Sequence, residues 1–186
     1  MHTGLHRIRL RTLTRTHRGI FWWFCDDYVE LVKQRAYEVE GVSSADAASA
    51  RVALRRALSA IQRLFAPLIP FVAEEVWRWW NDTSIHTTPW PQRSELLAGF
   101  STVTDHEADL EAICSVLAAV RRAKTEAKVS QRAEVASLAV SGPDTALAAV
   151  RDAMVDLTFA GSVKNHTLTS GSEIVASVTL APTAAE

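Results

Sequence analysis

Asp26 and Asp27 are adjacent carboxylates, and paired acids can carry general acid–base catalysis. Both fall in a segment with helical periodicity, where neighbouring side chains diverge by about 100°, so the two carboxylates do not converge on one substrate atom. His86, His106 and His166 have no cysteine or acid at metal-ligand spacing. The sequence also contains no glycine-rich phosphate loop and no nucleophile elbow. We therefore expect no catalytic residue and no metal-binding residue in this chain.

The basic residues are distributed unevenly, although the net charge is only −1. Residues 51–63 contain four arginines and no acid, and residues 121–132 contain five basic residues against Glu126 alone. Such blocks are typical of surfaces that contact phosphates, and an ordinary solvated helix face is the alternative. The candidate RNA-binding residues are Lys33, Arg35, Arg51, Arg55, Arg63, Arg121, Lys124, Lys128 and Arg132.

Hydrophobic periodicity places these residues on a series of amphipathic helices. Apolar residues recur at steps of three and four over 20–40, and a second helix is predicted from Ser43 or Ser44 to Phe65. Pro70 suits the first turn of a third helix that reaches Trp80. A fourth helix is predicted over 105–128. The fold class is therefore mainly α, with a helical bundle over 20–132.

The fourth helix changes character along one of its faces. Leu110, Ile113 and Leu117 occupy a sector that Arg121, Lys124 and Lys128 continue. A helix that replaces apolar with basic residues on one face is predicted to leave its core and to emerge toward an anionic partner. Replacement of these three basic residues with glutamine is then expected to leave folding nearly unchanged.

Both ends of the chain differ from the bundle. Residues 133–186 show alternation, helical spacing and alternation again, which predicts a small α+β unit of order β-α-β-β. Residues 1–19 carry five arginines and no acid with no sustained apolar pattern, which predicts a mobile segment and a partly exposed aromatic side on the following helix. We expect self-association of the isolated chain as a result.

The tryptophans admit two interpretations. An exposed indole is a stacking platform for unpaired bases, whereas an indole on the inner face of an amphipathic helix belongs to the core. Trp77 and Trp80 are spaced i, i+3 on the third helix, so core packing is favoured for most of the set. The full set is Trp22, Trp23, Trp77, Trp79, Trp80 and Trp90.

Four motifs occur in an order that resembles one protein family. They are FCDDYVELVK at 24–33, LFAPLIPFVAEEVWRWW at 64–80, SIHTTPWP at 84–91 and LAAVRRAKTEAKVSQRAEV at 117–135. Together they resemble the anticodon-binding domain of the class Ia aminoacyl-tRNA synthetases, with the valyl-tRNA synthetases as the most similar branch. The four-part order covers about residues 21–181 and is much more specific than any single motif.

The resemblance implies a helical bundle that recognises the anticodon stem-loop of valine tRNA. The parent enzymes attach valine to tRNA with ATP and Mg²⁺ in a separate catalytic domain, whose HIGH and KMSKS motifs are absent from this sequence. The chain is therefore expected to be a C-terminal fragment that is inactive alone, with tRNA and the missing catalytic domain as partners. The resemblance further implies a cytoplasmic location and a monomeric full-length enzyme.

Two alternatives remain open from the sequence. An isoleucyl-tRNA synthetase fragment is the nearest relative within the same family, but the Cys-rich zinc module of that enzyme has no counterpart here. A helical protein-interaction domain without RNA binding, in which the arginine faces are only solvated, is the alternative from a different functional class. No apolar run approaches the roughly 18–20 residues of a membrane span.

Overall fold

The computed structural model describes residues 21–99 and 107–182, which divide into two compact units. Of the described residues, 21–29 and 38–99 belong to the first unit, and 30–37 and 107–182 belong to the second. The predictions for residues 1–19 lie outside the described residues. The predicted fold class is confirmed, since helices predominate and a single small sheet follows them.

The FCDDY motif forms a π-helical turn at the start of the first described helix. The turn spans Phe24–Tyr28, and the amide of Val29 closes it by donating to the carbonyl of Phe24, five residues earlier. The rings of Phe24 and Tyr28 stack at 5.6 Å. The helix continues as α1, Val29–Ala36, and stops before Glu38, which adopts a left-handed backbone at φ 56°. It therefore ends earlier than the prediction of residue 40.

The next two helices confirm the sequence interpretation. Helix α2 spans Ser44–Phe65, and the hydroxyl of Ser43 caps it by accepting from the amide of Asp46 at 3.1 Å. Helix α3 spans Pro70–Arg78 with proline in its first turn. A 3₁₀ turn at Ile85–Thr87 and the short helix α4, Arg93–Leu96, follow.

A small apolar cluster and one carboxylate connect α3 to the SIHTTPWP loop. The buried cluster consists of Ala66, Ala73, Trp77 and Ile85, with Trp80 packed against it. Beside it, Glu74 accepts from the hydroxyl of Ser84 at 2.8 Å, from the amide of Ile85 at 2.9 Å and from Arg78 at 2.7 Å. The motif at 64–80 is therefore bound to the SIHTTPWP loop through the side chain of Glu74.

The second unit is built on a three-stranded sheet. Its elements are α5 (Glu107–Glu126), β1 (Val135–Gly142), α6 (Asp144–Asp152), α7 (Met154–Gly161), β2 (Val163–Ser170) and β3 (Val175–Leu180). Strand β1 is central, parallel to β2 and antiparallel to β3. The predicted β-α-β-β order is present, with two helices where one was expected.

Helix α5 contacts α6, α7 and β3, so it belongs to the same compact unit as the sheet. Val116, Leu117 and Val120 are almost fully buried and supply its inner face. A Cβ atom at Gly161 would lie 3.0 Å from a methyl of Val163 and 3.4 Å from one of Val120, so a larger residue there needs these side chains to shift. The domain boundary that the sequence placed at residue 132 stays a prediction.

Glu74 offers a pH-dependent test of the first unit. Its bonds to Arg78, Ser84 and the Ile85 amide hold the pKa of the carboxyl below its usual value. A lowered folded pKa means that the stabilisation is present above the unfolded pKa and is lost as pH falls through the folded value. We expect Glu74→Gln to lower the melting temperature at pH 7, and the difference from wild type to shrink on acidification below pH ~4.

The matched control is Glu75→Gln, because Glu75 is exposed and its recorded bond is a longer one, to the Trp79 indole at 3.3 Å. Differential scanning calorimetry from pH 3 to pH 8 measures both variants. Equal melting temperatures for the two variants at pH 7 would contradict the role assigned to Glu74.

Candidate nucleic-acid interface

The arginines of α2 are engaged within the first unit. Arg51 pairs with Glu38 at 3.2 Å, and the guanidinium of Arg55 lies 5.5 Å from the ring centre of Trp80. Arg63 pairs with Glu95 at 2.6 Å, donates to the carbonyl of Pro89 at 3.2 Å, and is only 9% exposed in its side chain. The side chains of Arg51, Arg55 and Arg63 therefore stabilise the fold of the first unit, and their charges are already engaged when a ligand arrives.

The two basic residues of α1 are also paired. Lys33 lies 2.6 Å from Glu30 one turn earlier. Arg35 lies 2.7 Å from Asp156, whose side chain is 10% exposed. Because Asp156 is a nearly buried carboxylate, Arg35 serves as its counter-ion. An anionic ligand at either position has to compete with an existing carboxylate.

Lys124 is buried, and the expectation of an exposed residue is wrong at this position. The residue is 1% exposed, and its ammonium donates to the backbone carbonyls of Gln131 at 2.9 Å and Gly161 at 2.8 Å. Burial lowers the pKa of this lysine from its usual value, because the charged form loses hydration. A direct phosphate contact is not available to an enclosed ammonium, and replacement by glutamine is not a surface substitution.

Lys128 and Arg132 are exposed and make no ion pair with any residue in the described parts of the chain. They lie in the segment 127–133, here called the basic loop, which follows α5. Arg121 is half-buried one and a half turns before the end of α5, and its backbone carbonyl accepts from Gln131 at 3.4 Å. Among the described residues, the exposed candidates that face no carboxylate are therefore the two in the basic loop and Arg55, whose guanidinium lies over Trp80.

The basic loop begins with a strained residue. Lys128 has φ 57°, its amide donates to Thr125, and the amide of Val129 donates to Lys124, both at 3.0 Å. These two bonds define a Schellman motif, whose left-handed position is usually glycine. A side chain there costs about 1–2 kcal/mol relative to a right-handed backbone. The chain thus carries a lysine where the backbone alone favours glycine.

Further hydrogen bonds fix the rest of the basic loop. The amide group of the Gln131 side chain donates to the hydroxyl of Thr125 at 3.1 Å, and the Ser130 carbonyl accepts from the amide of Ala133 at 2.8 Å. The Ser130 hydroxyl accepts from the amide of Arg132 at 3.2 Å. Sequence reasoning missed Gln131, because its role depends on the fold of the basic loop rather than on its residue type.

The tryptophans divide differently from the prediction. Trp77 is buried and Trp80 is half-buried, whereas Trp22, Trp23, Trp79 and Trp90 are 54%, 37%, 73% and 57% exposed. The preference for core packing is therefore correct for the i, i+3 pair and wrong for most of the set. Trp90 borders a cleft of about 240 Å³ together with Arg63 and His86.

Comparison with known families identifies the chain. The family model of the anticodon-binding domain of tRNA ligases matches residues 2–140 of this chain, which is three quarters of the chain's length. The chain belongs to this family. The match covers the described helices from the FCDDY turn to α5 and most of strand β1, but not α6 and α7, and it starts within the segment 1–19.

Three similar proteins share one enzyme name. Valine–tRNA ligase of Leifsonia xyli is 46% identical over 86% of this chain, that of Thermobifida fusca is 47% identical over 92%, and that of Cutibacterium acnes is 44% identical over 83%. The matched regions are 18%, 19% and 17% of those enzymes. The chain thus spans about a fifth of the length of these relatives, and the three names favour the valyl over the isoleucyl branch.

Two further findings apply to residues 21–99 and 107–182. No described helix is both long enough and apolar enough to cross a bilayer. Within the same residues, no cluster of three histidines, cysteines or acids is arranged to hold a metal ion.

The strain at Lys128 predicts an unusual stability response. Lys128→Gly relieves the left-handed strain, while the added flexibility of the unfolded chain offsets part of the gain, so we expect a net stabilisation of up to about 1 kcal/mol. Lys128→Ala is the matched control, because it removes the same charge but keeps the strain. Urea denaturation compares the two variants, and an equal free energy of unfolding for both would exclude a backbone origin.

Proposed function

We propose that this chain is the tRNA-binding part of a valine–tRNA ligase and binds the anticodon arm of valine tRNA. The match to the anticodon-binding domain family over residues 2–140 carries the proposal. The valine–tRNA ligase relatives at 44–47% identity support the choice of amino acid. In the complete ligase the chain positions the tRNA while other residues attach valine with ATP and Mg²⁺. We place this monomeric ligase in the cytoplasm.

The charge distribution favours the basic loop as a phosphate contact within that function. Lys128 and Arg132 are exposed and carry two positive charges without a paired acid among residues 21–99 and 107–182, whereas Lys33, Arg35, Arg51 and Arg63 each face a carboxylate. Transfer of a paired cation to a phosphate gains less, because its present ion pair is lost. The remaining candidates Arg55 and Arg121 are open to a secondary role.

Salt dependence of tRNA binding tests the proposal. Two phosphates neutralised by Lys128 and Arg132 give a slope near −1.8 in log affinity against log salt, or about a tenfold loss between 50 and 200 mM. We expect fluorescence anisotropy with a labelled valine tRNA transcript to show at least this dependence. Undetectable or salt-independent binding would contradict an RNA function and would favour a domain that binds protein.

A double substitution locates the contact. Lys128→Gln with Arg132→Gln should weaken tRNA binding and flatten the salt slope by about 1–2 units, because each lost phosphate contact removes close to one unit. The matched control is Arg51→Gln with Arg55→Gln, which removes two positive charges from α2. Loss of binding in the control with no loss in the basic loop variant would assign the contact to α2 instead.

Catalysis provides an independent expectation. The sequence contains neither an ATP-binding nor a valine-binding element, so valine-dependent exchange between ATP and pyrophosphate should stay at background for the purified chain. Exchange above that of a heat-denatured sample would contradict this division of labour.

A further inference from the structure

Lys124 joins three segments of the second unit at one buried point. It extends from the last turn of α5, and its ammonium donates to Gln131 in the basic loop and to Gly161 at the end of α7. Both acceptors are backbone carbonyls. No carboxylate is recorded as an ion-pair partner of Lys124 anywhere in the described residues.

Burial of an ammonium without a carboxylate partner costs desolvation free energy. The cost of removing the charge from water is offset in part by two charge-assisted hydrogen bonds of 2.8 and 2.9 Å. The carbonyl of Gly161 also belongs to the C-terminal end of α7, where the helix dipole favours a cation. A leucine or methionine of similar size fills the space without that cost, so the packing of α5 alone does not account for a lysine.

These bonds fix the backbone of the basic loop. The bond to Gln131 fixes the backbone directly before Arg132, and the Schellman bonds fix it at Lys128. The backbone strain at Lys128 persists because the surrounding bonds determine it, and such strain is found preferentially at binding sites. A fixed backbone reduces the ordering cost that a mobile loop incurs on binding.

We propose that Lys124 is a positioning residue, which holds the basic loop so that Lys128 and Arg132 act together on the phosphate backbone of bound RNA. The proposal rests on the tRNA-binding function and goes beyond it, since Lys124 itself does not touch the RNA. The ammonium of Lys124 binds the loop backbone inside the protein, and the exposed charges of Lys128 and Arg132 bind the RNA.

Lys124→Met tests the proposal, because methionine matches the length of lysine and removes the charge and all donors. With the valine tRNA transcript we expect affinity to fall about tenfold and the salt slope to flatten by up to about two units, as if both exposed cations were lost. A purely structural role lowers the melting temperature but leaves the slope of the folded protein unchanged. Lys164→Met is the matched control, because Lys164 is exposed and pairs with Glu134 outside the basic loop.

A double-mutant cycle separates coupling from simple addition. Adding Lys128→Gln and Arg132→Gln to Lys124→Met should produce little further loss, because the three residues act as one unit. Additive losses would overturn the proposal, and so would a Lys124→Met protein with the wild-type salt slope. If the wild-type chain itself does not bind tRNA, the proposed function and this inference are both wrong. If the wild-type chain binds tRNA and the Lys124 variants behave otherwise than expected, only this inference is wrong.

Gln131→Ala keeps the test decisive if circular dichroism shows that Lys124→Met does not fold. The Gln131 side chain is exposed and holds the same loop through Thr125 and the Arg121 carbonyl. We expect this variant to stay folded and to lose affinity and salt slope in the same direction, by a smaller amount. A folded Gln131→Ala protein with unchanged tRNA binding would contradict the positioning role.

Discussion

The buried ammonium of Lys124 connects three segments of the second unit, the end of α5, the basic loop and the end of α7. Its two carbonyl partners, Gln131 and Gly161, lie 30 residues apart in the sequence. In a low-dielectric interior a charge is stable only where fixed dipoles surround it. The end of α5, the basic loop and the end of α7 must therefore keep their relative positions for this residue to remain charged. Loss of any one of the three leaves a desolvated cation.

In the first unit, by contrast, the polar bonds lie at the periphery rather than in the interior. Glu74 and Arg63 each bind several groups of the 84–95 segment, and the apolar cluster behind them is small. This arrangement explains why two of the recognisable motifs occur together. The glutamate of one motif supplies acceptors that the backbone of the other motif needs, because its short 3₁₀ turn leaves amide groups without helical partners.

Local signals predicted those parts of the fold that depend on local physics. The Ser43 cap, the proline at the start of α3 and the alternation of β3 were readable because each depends on residues a few positions apart. The burial of Lys124 was not readable. Its environment comes from Gly161, 37 residues later, and a helical pattern cannot reveal which distant segment covers a face. The exposure of Trp79 and Trp90 was missed for the same reason. The candidate site was predicted only as a list of charges, since pairing with Glu38, Glu95 and Asp156 is set by tertiary contacts; only the Lys33–Glu30 pair is local to one helix.

The central position of β1 has a consequence for the order in which this molecule can form. Strand β1 is the first strand in the sequence, yet both of its neighbours, β2 and β3, follow it by more than 20 residues. Its buried residues Val135, Leu138 and Val140 thus have no ladder to join while a ribosome is still making α6 and α7. The parallel pairing with β2 closes a long connection before any strand contact forms, which is an entropically slow step. The second unit therefore completes its sheet only after synthesis has passed residue 180 and the last strand has left the ribosomal exit tunnel.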